Sequence, residues 1–300
     1  MKIQQPLILI KFIVLLLMVF TCVISKPSFA LGKLGHQIIC QLAFEHLSQT
    51  QQSQVITLLK TIPKQHKKLI NRYNYKKEDA AITFANACTW ADAIKRLEEF
   101  KSYNTWHYMN LSRDHLEIKA NDCNKNCLPQ AIFKHQKILS QAKKNQGWQR
   151  AQALLFLGHW IGDIHQPLHV SFKDDLGGNK VKFSHFDTKC ANLHRYWDEC
   201  ILYRGKQSKS QWLGLLRKQW RQHPQPNWQT NQVWQWADES FAIVRKPSFN
   251  YCQLNSQGRC QKLKGKIKLP PTYLTQYQPV IAQRLLNAAQ RLTKVLEASL

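Results

Sequence analysis

The chain has 300 residues and a formal net charge of +25. It contains no repeat, no low-complexity tract and no linker rich in Gly, Ser or Pro, which argues against a repeat architecture or a string of tethered modules. The excess of Lys and Arg favours a polyanionic partner, either nucleic acid or an anionic membrane, and does not by itself choose between them.

Residues 1–30 have the features of a secretory signal peptide. Two lysines precede the apolar run FIVLLLMVF, which is short for a membrane span, and Ser28 and Ala30 supply small residues at a cleavage site. An uncleaved membrane anchor is the alternative. Cleavage after Ala30 would leave residues 31–300 as one domain, secreted or periplasmic. Its charge would be about +22, because the removed segment holds three lysines and no acid.

Helical periodicity dominates the rest of the chain. It predicts helices over residues 35–47, 151–164, 233–244 and 279–299, and the second of these is apolar on nearly every face and should be buried. The basic run from Lys64 to Lys77 is typical of a solvated face. Strand signals are weak, and only residues 177–186 suggest a short hairpin. We therefore expect an all-α fold with long irregular loops and at most a short β-hairpin.

Eight cysteines follow the signal-like segment, at positions 40, 88, 123, 127, 190, 200, 252 and 260. An even number in an exported chain predicts disulfide bonds, and no Cys-x-x-Cys pair is present that would assign them to zinc. Eight cysteines allow about a hundred pairings. Our trial assignments are Cys40–Cys88, Cys123–Cys127 and Cys252–Cys260.

Polar side chains that can bind metal interrupt the most apolar predicted helix, in the stretch LGHWIGDIHQPLH. His159 and Asp163 are four residues apart and share one helix face. Pro167 breaks or bends the helix between His165 and His169, so that this second pair can be redirected toward the same cavity.

Further candidates lie elsewhere in the chain: His194 and Asp198 are again four apart, and Asp92 and His107 occur in apolar settings. Imidazole nitrogen and carboxylate oxygen are the usual zinc ligands where thiolates are absent. A single His in a helix is more often a hydrogen-bonded core residue. Several His/Asp pairs together predict a multi-metal site, because a dication offsets the cost of burying carboxylates.

An ordered set of motifs resembles the S1/P1 nuclease family: GKLGHQIICQLA, WADAIK, WHYMNL, FLGHWIGDIHQPLHV, GGNKVKF, NLHRYWDECI and WADES. The set runs from Leu31 to the C-terminus. Members of that family are secreted, mainly helical, three-zinc enzymes that share a fold with zinc-dependent phospholipase C. The resemblance implies one domain of this type over residues 31–300.

The resemblance assigns nine positions to three zinc ions. The first ion matches Asp92, His107, His159 and Asp163, and the second matches His169, His194 and Asp198. The third would be held by His36, by Asp163 as a bridging carboxylate, and by the amino nitrogen and carbonyl oxygen of Leu31 once cleavage frees its amine. The family usually has Trp at that terminus, and Leu31 does not reproduce the packing of an indole. His165 is not a ligand in this scheme and would support a neighbouring group.

The resemblance also implies roles for residues around the metals. Asp92 would accept a hydrogen bond from the attacking water, and Lys95 would offset charge on the phosphate, with an ordinary surface lysine as the alternative. Tyr108 would stack on a nucleobase and Asn110 would contact the base edge. Asn179 would contact phosphate or ligand. Core packing for Tyr108 and turn chemistry for Asn179 remain alternatives.

The expected function is hydrolysis of single-stranded RNA or DNA to 5′-phosphorylated products, with removal of 3′-phosphates from nucleotides as a companion activity. No stable membrane anchor is expected after signal cleavage, and a monomer is favoured. One alternative is a phospholipase C on the same fold, although those lipases typically end the second site with Glu rather than Asp198. The other is a non-catalytic polyanion-binding zinc protein, although a structural zinc normally has four protein ligands.

Overall fold

The structure, a computed structural model, describes residues 31–123, 125–143, 145–184, 190–223 and 228–300. This part of the chain is mainly helical with short strands, as predicted. The predicted signal peptide lies outside the described residues. Within them, no helix combines the length and the apolar character needed to cross a bilayer.

The helices, in chain order, are α1 (Lys33–Glu45), α2 (Gln49–Lys60), α3 (Lys64–Tyr73), α4 (Phe84–Ala87), α5 (Trp90–Ala93), α6 (Leu128–Gln141), α7 (Gly147–His165), α8 (Leu193–Arg195), α9 (Ile201–Arg204), α10 (Lys209–Gln222), α11 (Val233–Val244) and α12 (Tyr273–Ser299). The strands are β1 (Met109–Leu111), β2 (Val170–Phe172), β3 (Gln253–Leu254) and β4 (Cys260–Gln261). Short 3₁₀ segments include Glu98–His107 and Pro167–His169, and a π-helical turn spans Tyr196–Cys200.

Helix α7 lies at the centre of the molecule. Its side chains are apolar around the whole circumference, and Leu154, Trp160 and Ile164 are fully buried. It packs against α6 and α12, and also against α1 and α11. A helix surrounded in this way buries every residue that it carries along its central turns, so His159 and Asp163 are fully buried as well.

The predicted helix boundaries hold for α11 and lie within a few residues for α1 and α7. Helix α12 is different, because it begins at Tyr273 and continues through Pro279 instead of starting there. The extra turns are stabilised by aromatic packing. Tyr277 contacts Phe249 and Trp197 at ring-centroid distances of 5.5 and 5.4 Å, and this tertiary packing offsets the backbone bond that proline removes.

The two strand pairs are short. β1 and β2 run parallel, with Met109 opposite Val170, and β3 and β4 run antiparallel. The hairpin predicted at 177–186 is limited, among the described residues, to isolated bridges from Lys182 to Asn192 and from Phe183 to Ile267. Residues 185–186 lie outside the described part.

Four disulfide bonds connect the described cysteines. The three trial pairings are confirmed, and the fourth bond joins Cys190 to Cys200. The Cys40–Cys88 bond joins α1 to the segment that precedes α5 and lies against α7 at Gly158. A methyl group at Gly158 would approach the sulfur of Cys40 to 2.8 Å and that of Cys88 more closely still.

We expect Gly158→Ala to destabilise the protein by about 2 kcal/mol, because overpacking of a rigid core forces backbone shifts. The matched control is Gly214→Ala in α10, where an added methyl group meets no atom within 4 Å. That change should stabilise by up to about 1 kcal/mol, through helix propensity alone. Chemical denaturation of both variants measures the difference, and equal destabilisation would contradict the close contact.

Candidate metal centre

Six of the eight predicted ligand side chains come from five separate elements. His36 lies on α1, Asp92 on α5, and His159 and Asp163 on α7. His194 lies on α8, and Asp198 lies in the π-helical turn that follows it. The Cys40–Cys88 bond links α1 to the segment before α5, and the Cys190–Cys200 bond links the π-helical turn to the segment before α8.

The parallel pair β1–β2 places the remaining two imidazoles. His107 ends a 3₁₀ segment two residues before Met109, and His169 ends another directly before Val170. Because Met109 and Val170 are paired, both imidazoles lie at the same end of the strands. The His169 Nδ1–H donates to the carbonyl oxygen of His107, which fixes the two rings relative to each other.

The first group of ligand atoms surrounds one oxygen of Asp163. Its Oδ2 lies 3.0 Å from His107 Nδ1 and 3.3 Å from His159 Nε2, and the two nitrogens lie 3.1 Å apart. The carboxylate of Asp92 closes the group, with Oδ1 3.7 Å from His159 Nε2 and 4.0 Å from His107 Nδ1.

The other oxygen of Asp163 faces His36. Asp163 Oδ1 lies 3.3 Å from His36 Nε2, and the His36 ring stacks on His159 with centroids 3.8 Å apart. Asp163 therefore lies between His36 on one side and His107 and His159 on the other, while His36 also forms a candidate group with Asp92 and His159. Leu31 is buried nearby, and the backbone beside it is held by a 2.7 Å hydrogen bond from Gly32 N–H to the carbonyl oxygen of Asp198.

The third group consists of His169, His194 and Asp198. Asp198 Oδ1 lies 3.4 Å from His169 Nε2, and its Oδ2 lies 3.3 Å from His194 Nε2. A zinc ion held by these three ligand atoms would keep a fourth position open, as catalytic zinc ions do and structural zinc ions do not.

These spacings fit shared cations. Ligand atoms placed tetrahedrally at about 2.0–2.1 Å from a metal ion are about 3.3 Å from one another. Five buried ligand atoms have no hydrogen-bond partner among the described residues: His36 Nε2, Asp92 Oδ1, Asp163 Oδ1, His169 Nε2 and Asp198 Oδ2. One of them, Asp92 Oδ1, forms an ion pair with Lys95. Buried polar atoms rarely stay unpaired, and a bound metal ion would satisfy these atoms. The eight predicted ligand side chains thus form groups that could hold metal ions.

The orientation of three imidazoles is fixed by backbone carbonyl groups. His159 Nδ1–H donates to the carbonyl oxygen of Cys88 at 2.8 Å, and His194 Nδ1–H donates to that of Gly177 at 2.7 Å. His169 does the same toward His107. Each bond selects the tautomer whose Nε2 lone pair is free to coordinate, as in most metal-bound histidines.

Burial also sets the protonation of the histidines. It lowers the pKa of His36 and of His159 to about 4, and it lowers the pKa of His107 well below its ordinary value. The imidazoles are therefore neutral near neutral pH. Neutral imidazole is the form that binds metal, so no proton has to be removed on binding.

Burial has the opposite effect on the pKa of a carboxylic acid, because it disfavours the charged form. Burial raises the pKa of Asp163, and it raises the pKa of Asp198 to about 7. Burial alone would also raise the pKa of Asp92, but the ammonium group of Lys95 and the neighbouring imidazoles hold it below its usual range. Bound cations would keep Asp163 and Asp198 ionised and remove the cost of burying them.

Two residues that the sequence analysis missed support the ligands. Gln166 Nε2 donates to Asp198 Oδ1 at 2.6 Å, while its own side-chain oxygen accepts from the backbone of Leu168. The Tyr73 hydroxyl donates to Asp92 Oδ2 at 3.2 Å. The position of Gln166 inside the motif DIHQPLH is the available signal, whereas Tyr73 lies in the basic run whose composition is typical of a solvated face.

His165 does not face the metal ligands, so the pattern-based expectation that it turns with His169 toward one cavity was wrong. The helix ends at His165 before Pro167, and the residues on either side of the break point in different directions. His165 Nε2 accepts from Arg291 at 2.7 Å, and its carbonyl oxygen accepts from Arg284. It belongs to a buried polar cluster behind α7.

That cluster holds the end of α7 in place. The guanidinium groups of Arg284 and Arg291 are nearly fully buried and share the carboxylate of Glu239, at distances of 2.6–2.7 Å. Arg284 also donates to Ser240, whose hydroxyl donates to the carbonyl oxygen of Ile164. The cluster therefore fixes the backbone directly after Asp163.

We expect Glu239→Gln to destabilise the protein by about 3 kcal/mol, since it leaves two buried guanidinium groups without a counter-charge. Burial alone would raise the pKa of Glu239, but Arg291 and Arg284 lower it below its ordinary value. Its stabilising effect is therefore full above the ordinary Glu pKa of about 4.3 and is lost as the pH falls further.

The free energies of unfolding of the wild-type protein and Glu239→Gln, measured at pH 7 and again below about pH 4, where glutamate becomes protonated, test this effect. The control is Glu297→Gln, which removes a half-exposed ion pair with Lys294 and should cost less than about 1 kcal/mol. If the two variants were equally stable, the cluster would not support α7 in the way described.

The predicted catalytic and substrate-binding residues differ in side-chain exposure and in hydrogen bonding. Lys95 Nζ lies 2.6 Å from Asp92 Oδ1 and is about one-fifth exposed, at 20%. Tyr108 is 39% exposed, and Asn110 has a buried Oδ1 without a partner among the described residues. The side chain of Asn179 instead donates to the carbonyl oxygen of Leu176, as turn chemistry suggested.

Sequence comparison finds a family model, described as S1/P1 Nuclease, that matches residues 31–300. Endonuclease 3 of Arabidopsis thaliana is 33% identical over 181 residues, which cover 57% of this chain and 54% of that protein. Endonuclease 2 of the same plant is 34% identical over 182 residues, 57% of this chain and 56% of that protein. Nuclease S1 of Aspergillus oryzae is 25% identical over 183 residues, 59% and 56% of the two chains. The chain spans a little over half the length of these relatives.

Proposed function

Because the chain belongs to the S1/P1 nuclease family, we propose that it hydrolyses single-stranded RNA and DNA to 5′-phosphorylated products and removes 3′-phosphates from nucleotides. The names of its relatives, which are endonucleases and a nuclease, support cleavage of nucleic acid. One observation carries the proposal: side chains from distant parts of the chain form three buried His/Asp groups, and Asp163 lies between His36 on one side and His159 on the other.

The cofactor in this proposal is zinc, three ions per chain. Five imidazoles and three carboxylates suit zinc better than magnesium or calcium, which prefer oxygen ligands. The first ion would be held by Asp92, His107, His159 and Asp163, and the second by His169, His194 and Asp198. The third would be held by His36, Asp163 and the main-chain amine and carbonyl oxygen of Leu31.

Bound zinc ions would supply Lewis acidity, activating a water molecule and stabilising charge on the phosphate and on the departing O3′. The chain's own residues then have separate tasks. Asp92, whose pKa is held below its usual range, stays an acceptor that can aim the attacking water. Lys95 presents its ammonium group at the edge of the ligand groups, where it would bind a phosphoryl oxygen.

Substrate residues are proposed on the side of β1. The partly exposed ring of Tyr108 would stack on a nucleobase. Asn110 would contact the base edge after a side-chain movement that uncovers its buried, unpartnered Oδ1. Asn179 would contribute to phosphate binding only if its side chain released the hydrogen bond that it donates to the carbonyl oxygen of Leu176. Bases of a single strand can turn outward and stack, which a duplex does not allow. A net charge of about +22 would draw such a strand in.

We propose that the active form is residues 31–300, one exported and monomeric domain that begins at Leu31. Four disulfide bonds support an oxidising destination, the periplasm or the medium. The processed chain would have no membrane anchor, and its substrates would be single-stranded nucleic acids and 3′-nucleotides.

Incubation of the purified protein with single-stranded DNA, single-stranded RNA, a 3′-mononucleotide and phosphatidylcholine tests the proposal. We expect cleavage of the first three and not of the lipid, with 5′-phosphates on the oligonucleotide products. Hydrolysis of the lipid alone would assign the chain to the phospholipase C reaction. Nucleic-acid binding that persists in EDTA, without turnover after zinc is returned, would assign it to the non-catalytic alternative.

A further inference from the structure

A groove of about 490 Å³ adjoins the metal centre on the side of α1 and α3. Three basic side chains and three tyrosines line it, together with one acid: Lys33, Arg72, Arg195, Tyr73, Tyr75, Tyr203 and Glu199. Its volume is in the range of cavities that bind ligands the size of a nucleotide. The basic run from Lys64 to Lys77 supplies three of these residues, so that part of this run lines a concave surface.

Two residues that line the groove are direct sequence neighbours of predicted metal ligands. Arg195 follows His194 directly, and Glu199 follows Asp198. Tyr73 lines the groove while its hydroxyl donates to Asp92 Oδ2, 3.2 Å away. By contrast, none of Tyr108, Asn110 and Asn179 lines it. The groove is therefore a surface separate from the one predicted at Tyr108.

Two aromatic rings in the groove are exposed to an unusual degree. Tyr75 is 90% exposed and Tyr203 is 56% exposed. The Nζ of Lys33 lies 3.6 Å from the centroid of the Tyr75 ring. An exposed ring beside a cation is a surface on which a nucleobase can stack while its phosphate is bound.

The charges of the groove are only partly neutralised within the chain. Arg195 lies 3.5 Å from Glu199, but its Nε has no hydrogen-bond partner among the described residues. Arg72 pairs with Glu78 and keeps 71% of its side chain exposed. Cations alone would also suit a lipid head group, whereas the exposed tyrosines favour a ligand with stacking rings.

We propose that this groove binds the nucleotides of a single strand beyond the one held at Tyr108, with Tyr75 and Tyr203 stacking on bases and Lys33, Arg72 and Arg195 binding phosphates. This inference rests on the proposed nuclease function and extends it, since it makes the chain prefer long strands over mononucleotides. The groove acts on binding and leaves the chemistry at the metals unchanged.

The test compares the zinc-loaded wild-type protein with the double variant Tyr75→Ala/Tyr203→Ala. The ratio of kcat/KM for a single-stranded dodecathymidylate to kcat/KM for a 3′-mononucleotide should fall about tenfold or more, because removing each stacking ring weakens strand binding. The double variant Tyr75→Phe/Tyr203→Phe keeps both rings and should keep the ratio. A ratio that is the same in the Ala variant as in the wild type would overturn the proposal.

A binding measurement separates failure of the groove from failure of the proposed function. Fluorescence anisotropy with a labelled phosphorothioate oligothymidylate, which resists hydrolysis, reports affinity without turnover. Lys33→Gln and Arg72→Gln should weaken binding and reduce its salt dependence, by about 0.7 in the logarithmic slope for each phosphate that the variant no longer neutralises.

Lys218→Gln, which removes an exposed lysine on α10 outside the groove, should have little effect. Equal losses in all three charge variants would mean attraction by net charge alone and would contradict a defined groove. A protein that binds through the groove but cleaves no strand would contradict the proposed function and leave the groove in place.

Discussion

Asp163→Asn is expected to lower the rate of single-strand cleavage by about a thousandfold or more and to reduce the metal content of the protein. The substitution keeps the shape of the side chain and removes the charge that lies between His36 on one side and His107 and His159 on the other. Metal ions supply several kcal/mol of transition-state stabilisation, and each tenfold loss in rate corresponds to about 1.4 kcal/mol. Initial rates and elemental analysis of the same preparation measure both effects.

The control for this variant is Asp114→Asn, which changes an exposed carboxylate, 62% accessible, away from the ligand groups. It should retain wild-type metal content and rate. Circular dichroism establishes that both variants are folded. Wild-type turnover by folded Asp163→Asn protein would overturn the assignment of Asp163 as the bridging ligand.

Protein that begins one residue upstream, at Ala30, is expected to lose the third metal ion and about a hundredfold in activity. An added residue converts the Leu31 amine into an amide, which does not coordinate zinc at neutral pH. The surroundings leave Leu31 little freedom to move, because it is 1% exposed and its side chain fills the space beside Gly35. N-terminal sequencing and metal analysis of the two forms test this directly.

Leu31→Ile is the matched control, since it keeps the free amine and the carbonyl oxygen and changes only the shape of the side chain. It should retain the third metal ion, with a modest loss of stability of less than about 1.5 kcal/mol. If the protein that begins at Ala30 bound as much metal as the protein that begins at Leu31, the assignment of Leu31 as a metal ligand would be wrong. The first two sites would be unaffected by that result.

The parts of the site that lie on one helix were readable from the sequence. The spacing of His159 and Asp163 places both on one face of α7, and the apolar neighbours of that helix predict its burial. The end of the helix before Pro167 was predictable for the same reason, because proline removes a backbone donor. A spacing of four residues implies a shared face only within a continuous helix, and the helix ends between His165 and His169. The predicted pairing of these two residues is therefore wrong.

Other features depend on contacts between distant segments, which local patterns do not encode. The approach of His107 to His169 follows from the pairing of β1 with β2, and neither three-residue strand has a clear sequence signal. The role of Gln166 depends on the position of Asp198 in the folded chain, since the two side chains are hydrogen-bonded. Part of the basic run lines a groove only because α3 packs against the helix that carries Asp92.

Metal analysis of the exported, N-terminally sequenced protein, combined with an activity assay before and after chelation, tests the account most directly. We expect three zinc ions per chain beginning at Leu31, loss of single-strand cleavage when the metal is removed, and recovery when zinc is returned. Undiminished cleavage by a sample freed of every divalent cation would contradict it.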